Sequence, residues 1–395
     1  LGASSAHGRG EFGWEFPAPV LLDDFPHLPY LFTTSLRRLV IDESKNAIFQ
    51  AGNNMQSSLS GLLLVIAGGI MQGSFTLPMK FMPGWKWENT WLVYTVSGLL
   101  IAPWVLAGGT VPHLFAVLSG AEPRALLAAT VFGMGWGIGS ILFGLGVARV
   151  GAALGFALIL GMTSAIGALA PLLILHPQDV LSPAGRLILA GVVTVLVGIG
   201  LSAWAGKLKE RALLARPEGG VTQGAFLSGL IICLLSGITS PMMNFSLTFG
   251  AGIAEYAQRL GASASNANNA TWAPAVTAGA IVNAVYCLWL LRKNRSAGEF
   301  WRAGVRRYWL LGIVMGALWM GGMASYGMGA ALMGQLGPAL GWPLFMATII
   351  ITANIWGALT GEWKGAGAPA VRWMIVSLVI LSIAVFTFGY SSRLQ

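Results

Sequence analysis

Residues 125–148 read ALLAATVFGMGWGIGSILFGLGVA, an unbroken apolar and small-residue run without a single charge. A helix needs about 20 mostly apolar residues to cross the hydrocarbon core of a bilayer, and this stretch supplies them. Its apolar character is continuous rather than alternating, which excludes a strand of a membrane barrel. Comparable runs cover 59–77, 91–109, 151–175, 186–205, 224–250, 272–292, 308–332, 339–360 and 371–389. The expected fold is therefore all-α and integral to the membrane, with ten transmembrane helices.

Composition requires the same solvent. Charged residues make up 9% of the chain, against about 25% in soluble domains. The formal charge of +9 comes from 23 basic and 14 acidic residues. The bases sit in short loops between apolar runs, so juxtamembrane charge accounts for them and a nucleic-acid partner does not. Loops after odd-numbered spans carry fifteen bases, among them Lys80, Lys86, Lys207, Lys209, Arg292, Lys293 and Lys364. Loops after even spans and the C-terminus carry only Arg124, Arg186, Arg259 and Arg393. The positive-inside rule then puts the odd loops in the cytoplasm and both ends of the ten-span unit outside.

The opening stretch also has a copy. Gly133, Trp136, Gly139, Phe143, Gly144 and Gly146 recur, 183 residues on, as Gly316, Trp319, Gly322, Tyr326, Gly327 and Gly329. Thr90-Trp91 with Gly98 matches Thr271-Trp272 with Gly279, and Gly61 and Gly69 match Gly229 and Gly237. Gly167-Ala168-Leu169 matches Gly357-Ala358-Leu359. Five spans per copy is an odd number, so the second copy enters the membrane from the opposite side. Residues 55–215 and 216–395 are thus expected to be two inverted five-helix repeats, the arrangement of secondary transporters with a solute site between the halves. Residues 1–54 contain six acids, four bases and no spanning run. They read as a spurious or disordered N-terminal extension, with translation expected to start at Met55.

Four motifs carry a resemblance. They are Pro78-Met79-Lys80 followed by Trp85-Lys86-Trp87-Glu88-Asn89-Thr90-Trp91; Phe132-Gly133-Met134-Gly135-Trp136-Gly137-Ile138-Gly139; Ala205-Gly206-Lys207-Leu208-Lys209-Glu210-Arg211; and Glu362-Trp363 with Ala366-Gly367. From about Met55 onward the chain resembles the L-rhamnose–proton symporter family of the drug/metabolite transporter superfamily. The resemblance implies a multi-pass inner-membrane carrier that imports a deoxy sugar with a proton. Residue spacing alone gives a ten-helix secondary transporter. It leaves open an exporter or uniporter of the same fold.

Candidate site residues follow from what such a solute needs. Trp136 and Trp319 occupy equivalent mid-span positions. An indole face packs on the apolar face of a deoxy sugar, and its N–H donates to a hydroxyl. Gln72, Thr163, Asn244, Tyr326 and Asn354 put donors and acceptors at membrane depth, with Asn244 and Asn354 favoured because an amide does both. Helix packing and interhelical hydrogen bonds are the competing roles for all seven. Pro241 can break the sixth span and free backbone groups for a solute, and Pro78 can do the same in the equivalent first span or simply mark its ordinary end. Each of the eight acids after Met55 falls at a run end or in a loop. Glu255, just past the sixth span, is the candidate proton carrier, with an ion pair to Arg259 as the alternative role. A membrane-embedded enzyme is disfavoured, because no H-E-x-x-H, G-x-S-x-G or clustered-acid motif occurs. No cofactor or metal is expected.

Overall fold

The computed structural model describes residues 57–150, 152–213, 223–392 and 394. The extension 1–54, the start at Met55 and the boundary between residues 215 and 216 lie outside these. The described residues contain ten helices long and apolar enough to cross a membrane and no strand. They are α1 (Ser57–Phe81), α2 (Trp87–Thr110), α3 (Pro123–Val150), α4 (Gly155–Leu175), α5 (Pro183–Ala212), α6 (Leu227–Arg259), α7 (Asn268–Asn294), α8 (Arg306–Leu332), α9 (Gly337–Leu359) and α10 (Gly367–Ser391). Large apolar side chains such as Leu63, Val105, Leu127, Val285 and Phe386 point outward, as they must where lipid is the solvent.

Proline and glycine shape three of these helices. α1 leaves the α-helical form at Phe75–Thr76 and ends in a 3₁₀ turn, Leu77–Phe81, that contains Pro78. α6 breaks at Ser240–Pro241 and again at Gly250, giving the segments Gln223–Thr239, Met242–Phe249 and Ala251–Arg259. It therefore runs nine residues past the apolar stretch that ends at 250. α2 is π-helical over Thr95–Ile101, just before Pro103. A proline has no N–H to offer the preceding turn, and the wider turn accommodates that loss.

Lipid gives helices no hydrophobic reason to associate, so close packing at small residues does the work. A Cβ on Gly98 would stand 2.4 Å from the Cα of Gly316, and one on Gly279 would stand 2.8 Å from the carbonyl oxygen of Gly133. These are the crossings of α2 with α8 and of α7 with α3. The likeness extends further. Gly139 meets Ser240 where Gly322 meets Gln72, and Gly146 meets Cys233 where Gly329 meets Val65. In each case the second contact joins the sequence equivalents of the first.

Gly133→Val or Gly316→Val should therefore lower thermal stability in detergent, since overpacking costs about 1–3 kcal/mol. A Cβ on Gly108 has nothing within 4 Å. Gly108→Ala should leave the melting temperature unchanged or raise it slightly.

Candidate functional site

A cavity of about 710 Å³ lies among α1 to α9, within the range of small-molecule pockets, roughly 300–1,000 Å³. Its lining includes a tryptophan pair. The rings of Trp136 and Trp319 lie 5.0 Å apart, tilted by 38°, and both line the cavity. The α3–α7 crossing sets the first of them, because a Cβ on Gly279 would touch Cε3 of Trp136 at 2.7 Å. Gln72 fixes the second. In the amide orientation that satisfies both partners, its Oε1 accepts from Trp319 Nε1 at 2.7 Å and its Nε2 donates to the Trp319 carbonyl at 3.2 Å.

Polar groups share the lining. Asn283 Oδ1 accepts from Trp91 Nε1 and from Ser140 Oγ, both at 3.0 Å, which joins α2, α3 and α7 at one point. Thr163 also lines the cavity, and its buried hydroxyl has no partner. Asn354 lines it too, with Nδ2 donating to the Ile350 carbonyl at 2.9 Å and to Ser202 Oγ at 3.4 Å. The break in α6 brings Ser240 to the wall, a residue with no sequence signal of its own beyond its neighbour Pro241.

The cavity opens where its lining reaches the exposed Lys80 and Glu362. Lys80 pairs with Glu362, Lys209 Nζ stands 3.6 Å from the same carboxylate, and Lys209 also lies 5.0 Å from the Trp363 ring centre. These contacts tie the ends of α1 and α5 to the α9–α10 loop. Burial raises the affinity of the Glu362 carboxyl for a proton. The hydrogen bond and charge of Lys80 and the charge of Lys209 outweigh that and hold it below the usual carboxylate range. Trp342 and Phe345 also belong to the lining. Behind them Tyr326 is fully buried, 5.4 Å and 4.9 Å from those two rings.

The candidate residues thus divide. Trp136, Trp319, Gln72, Thr163 and Asn354 share the cavity. Asn244 and Tyr326 are fully buried outside it and bonded to each other: the tyrosine hydroxyl donates to Asn244 Oδ1, and Asn244 Nδ2 donates to the Gly167 carbonyl at 2.8 Å. Glu255 is exposed near the end of α6 and does not line the cavity. No ion pair joins it to Arg259 among the described residues. One acid at a run end is nevertheless buried. Glu88, in the first turn of α2, is 4% exposed. It accepts from Ser296 Oγ at 2.6 Å and from Asn294 Nδ2 at 2.9 Å, pinning α2 to the α7–α8 loop.

Ten spanning helices around a solute-sized cavity that opens at one end define a membrane transport protein. The model of the L-rhamnose-proton symport protein family matches residues 55–392, and the chain belongs to that family. Among similar proteins, an L-rhamnose-proton symporter of Citrobacter koseri is 28% identical over 338 residues, 83% of this chain and 96% of that protein. The same name is carried by a Pectobacterium atrosepticum protein, 28% identical over 340 residues (84% of this chain, 97% of that protein). It is also carried by an Escherichia coli O1:K1 protein, 27% identical over 336 residues (83% and 96%).

The mouth contacts set a pH test. A carboxylate with a depressed folded-state affinity for protons stabilises the fold above its unfolded pKa and loses that effect as pH falls through the folded value. Glu362→Gln should therefore melt below the parent protein at pH 7, by no more than about 1 kcal/mol for pairs this exposed. The gap should close as the pH drops into the acid range. Thermal unfolding in detergent across pH reads both.

Proposed function

We propose that this protein imports L-rhamnose or a related deoxy sugar together with a proton, by exposing one site alternately to the two sides of the inner membrane. The observation that carries the reading is the Trp136–Trp319 pair in the lining of the cavity, in a chain of the L-rhamnose-proton symport protein family. Two indole faces suit the apolar C–H surface of a deoxy sugar. Gln72, Thr163, Ser140 and Ser240 offer hydroxyls and an amide to its polar edge. Asn354 serves the same site from α9. Asn244 and Tyr326 reach the solute only in another arrangement of the helices.

Residues 55–215 and 216–395 form two inverted repeats in this reading. The matched crossings support it: Gly133 with Gly279 and Gly316 with Gly98, Gly139 with Ser240 and Gly322 with Gln72. The base-rich loops lie in the cytoplasm, so the mouth at Lys80 and Lys209 faces inward and both ends of the ten-helix unit lie outside. Glu255, at the opposite end of the bundle, carries the proton. It meets protons from the outer side first and releases them as the halves rock.

Purified protein in proteoliposomes should concentrate labelled L-rhamnose when the outside is acidified and should not when the pH gradient is collapsed. Trp136→Ala and Trp319→Ala should each raise the half-saturating sugar concentration about tenfold, the loss of about 1.4 kcal/mol of contact, at normal membrane levels. Normal transport by both variants would sink the paired-tryptophan site. Glu255→Gln should abolish accumulation but leave sugar exchange between equal pools, because exchange needs no deprotonation. A C-terminal reporter should be active on the outside. Activity on the cytoplasmic side would overturn the orientation.

A further inference from the structure

Several lining residues come in equivalent pairs that both face the cavity: Trp136 with Trp319, Gln72 with Ser240, and Phe75 with Met243. Others do not. Thr76, Lys80, Trp91, Tyr94 and Phe143 line the cavity. At the spacings of the repeat, their equivalents are Asn244, Thr248, Trp272, Ala275 and Tyr326. None of these five lines it. Asn244, Trp272, Ala275 and Tyr326 are all 0% exposed.

We infer that these equivalents line the second route to the solute site, on the side opposite the present mouth, and that the hydrogen bond from Tyr326 to Asn244 is the bar that closes it. The inference rests on the inverted-repeat reading above. It has a support that does not come from the repeat. Buried polar groups are nearly always hydrogen-bonded, and each exception calls for a reason. Trp272 Nε1, Thr271 Oγ1 and Asn269 Oδ1, all in the first turns of α7, are buried without partners. The equivalent of Trp272, Trp91, stands at the open side with its Nε1 bonded to Asn283. A route opened along α7 would hydrate the groups that are orphaned in the closed arrangement.

The bar has the right construction. Tyr326 is on α8 and Asn244 on α6, and Asn244 also holds the Gly167 carbonyl of α4 and, at 3.4 Å, the Pro338 carbonyl of α9. Four helices from both halves meet there. Opening breaks a small number of hydrogen bonds, and the freed amide and phenol become available to a passing hydroxyl-rich solute.

Cysteine accessibility tests this. Thr76→Cys, Ala275→Cys and Thr248→Cys are made singly in the full chain, whose own Cys233 and Cys287 are buried. The parent protein is the unlabelled control. A membrane-impermeant maleimide is applied to right-side-out and to inverted vesicles, and L-rhamnose uptake certifies each variant as folded. Thr76→Cys should react from one face only, and Ala275→Cys and Thr248→Cys from the other face only. Adding Tyr326→Phe should speed the reaction at position 275 about threefold, the shift given by losing one interhelical hydrogen bond made in a single state. If Ala275→Cys does not transport, Thr248→Cys decides alone. The inference is overturned if the transport-competent variants react from the same face as Thr76→Cys, or from neither. Absence of rhamnose uptake by the parent protein would instead sink the substrate reading; variants that match the parent's membrane level and melting temperature would then count as folded, and their labelling pattern would still decide between one route and two.

Discussion

Backbone contact at two helix crossings is the constraint on which the rest of this structure depends. Gly133 with Gly279 and Gly98 with Gly316 let main chains touch where any side chain would hold them apart. In lipid, such contact is the main source of helix association. It also decides the chemistry of the cavity. Trp136 on α3 and Trp319 on α8 reach across to meet at 5.0 Å, and the bare surface of Gly279 receives the ring of Trp136. Aromatic packing and the cavity wall are thus two consequences of the same missing side chains.

The two ends of the bundle are held differently. At the mouth, charges do the holding: Glu362 takes Lys80 and Lys209 at an aqueous surface, where such pairs are weak and exchangeable with water. At the closed end the ties are neutral and buried, from Tyr326 to Asn244 and from Trp342 Nε1 to the Thr163 carbonyl at 2.9 Å. Interhelical hydrogen bonds inside membranes are worth only about 0.6 kcal/mol on average. A few of them can therefore hold helices together without making the contact permanent, as the proposed alternation between two arrangements requires.

Much of this was legible in the chain. Ten runs gave ten helices, because length and apolarity are what a bilayer demands and little else competes with them. The pairing of Trp136 with Trp319 was legible from glycines spaced 183 residues apart. What the sequence hid was depth and direction. Asn244 and Asn354 looked alike as amides in apolar runs, yet one is sealed against Tyr326 and the other faces the cavity. Glu88 lies at a run end, as its place in the chain indicates, but its burial was hidden, because it comes from Asn294 at the end of α7 and Ser296 in the loop that follows. Ser240 gave no signal, since its place in the wall depends on the break that Pro241 imposes on α6. One-dimensional pattern reports burial in lipid well and burial against another helix poorly.

The account's central claim is that the solute binds at the tryptophan pair, midway along the bundle. An experimental structure of the protein with L-rhamnose bound tests it most directly. The predicted density lies between Trp136 and Trp319, with sugar hydroxyls within hydrogen-bond distance of Gln72, Ser240 or Thr163. Sugar density at the mouth beside Lys80 and Glu362, with the tryptophan pair in mutual contact and unchanged, would contradict it.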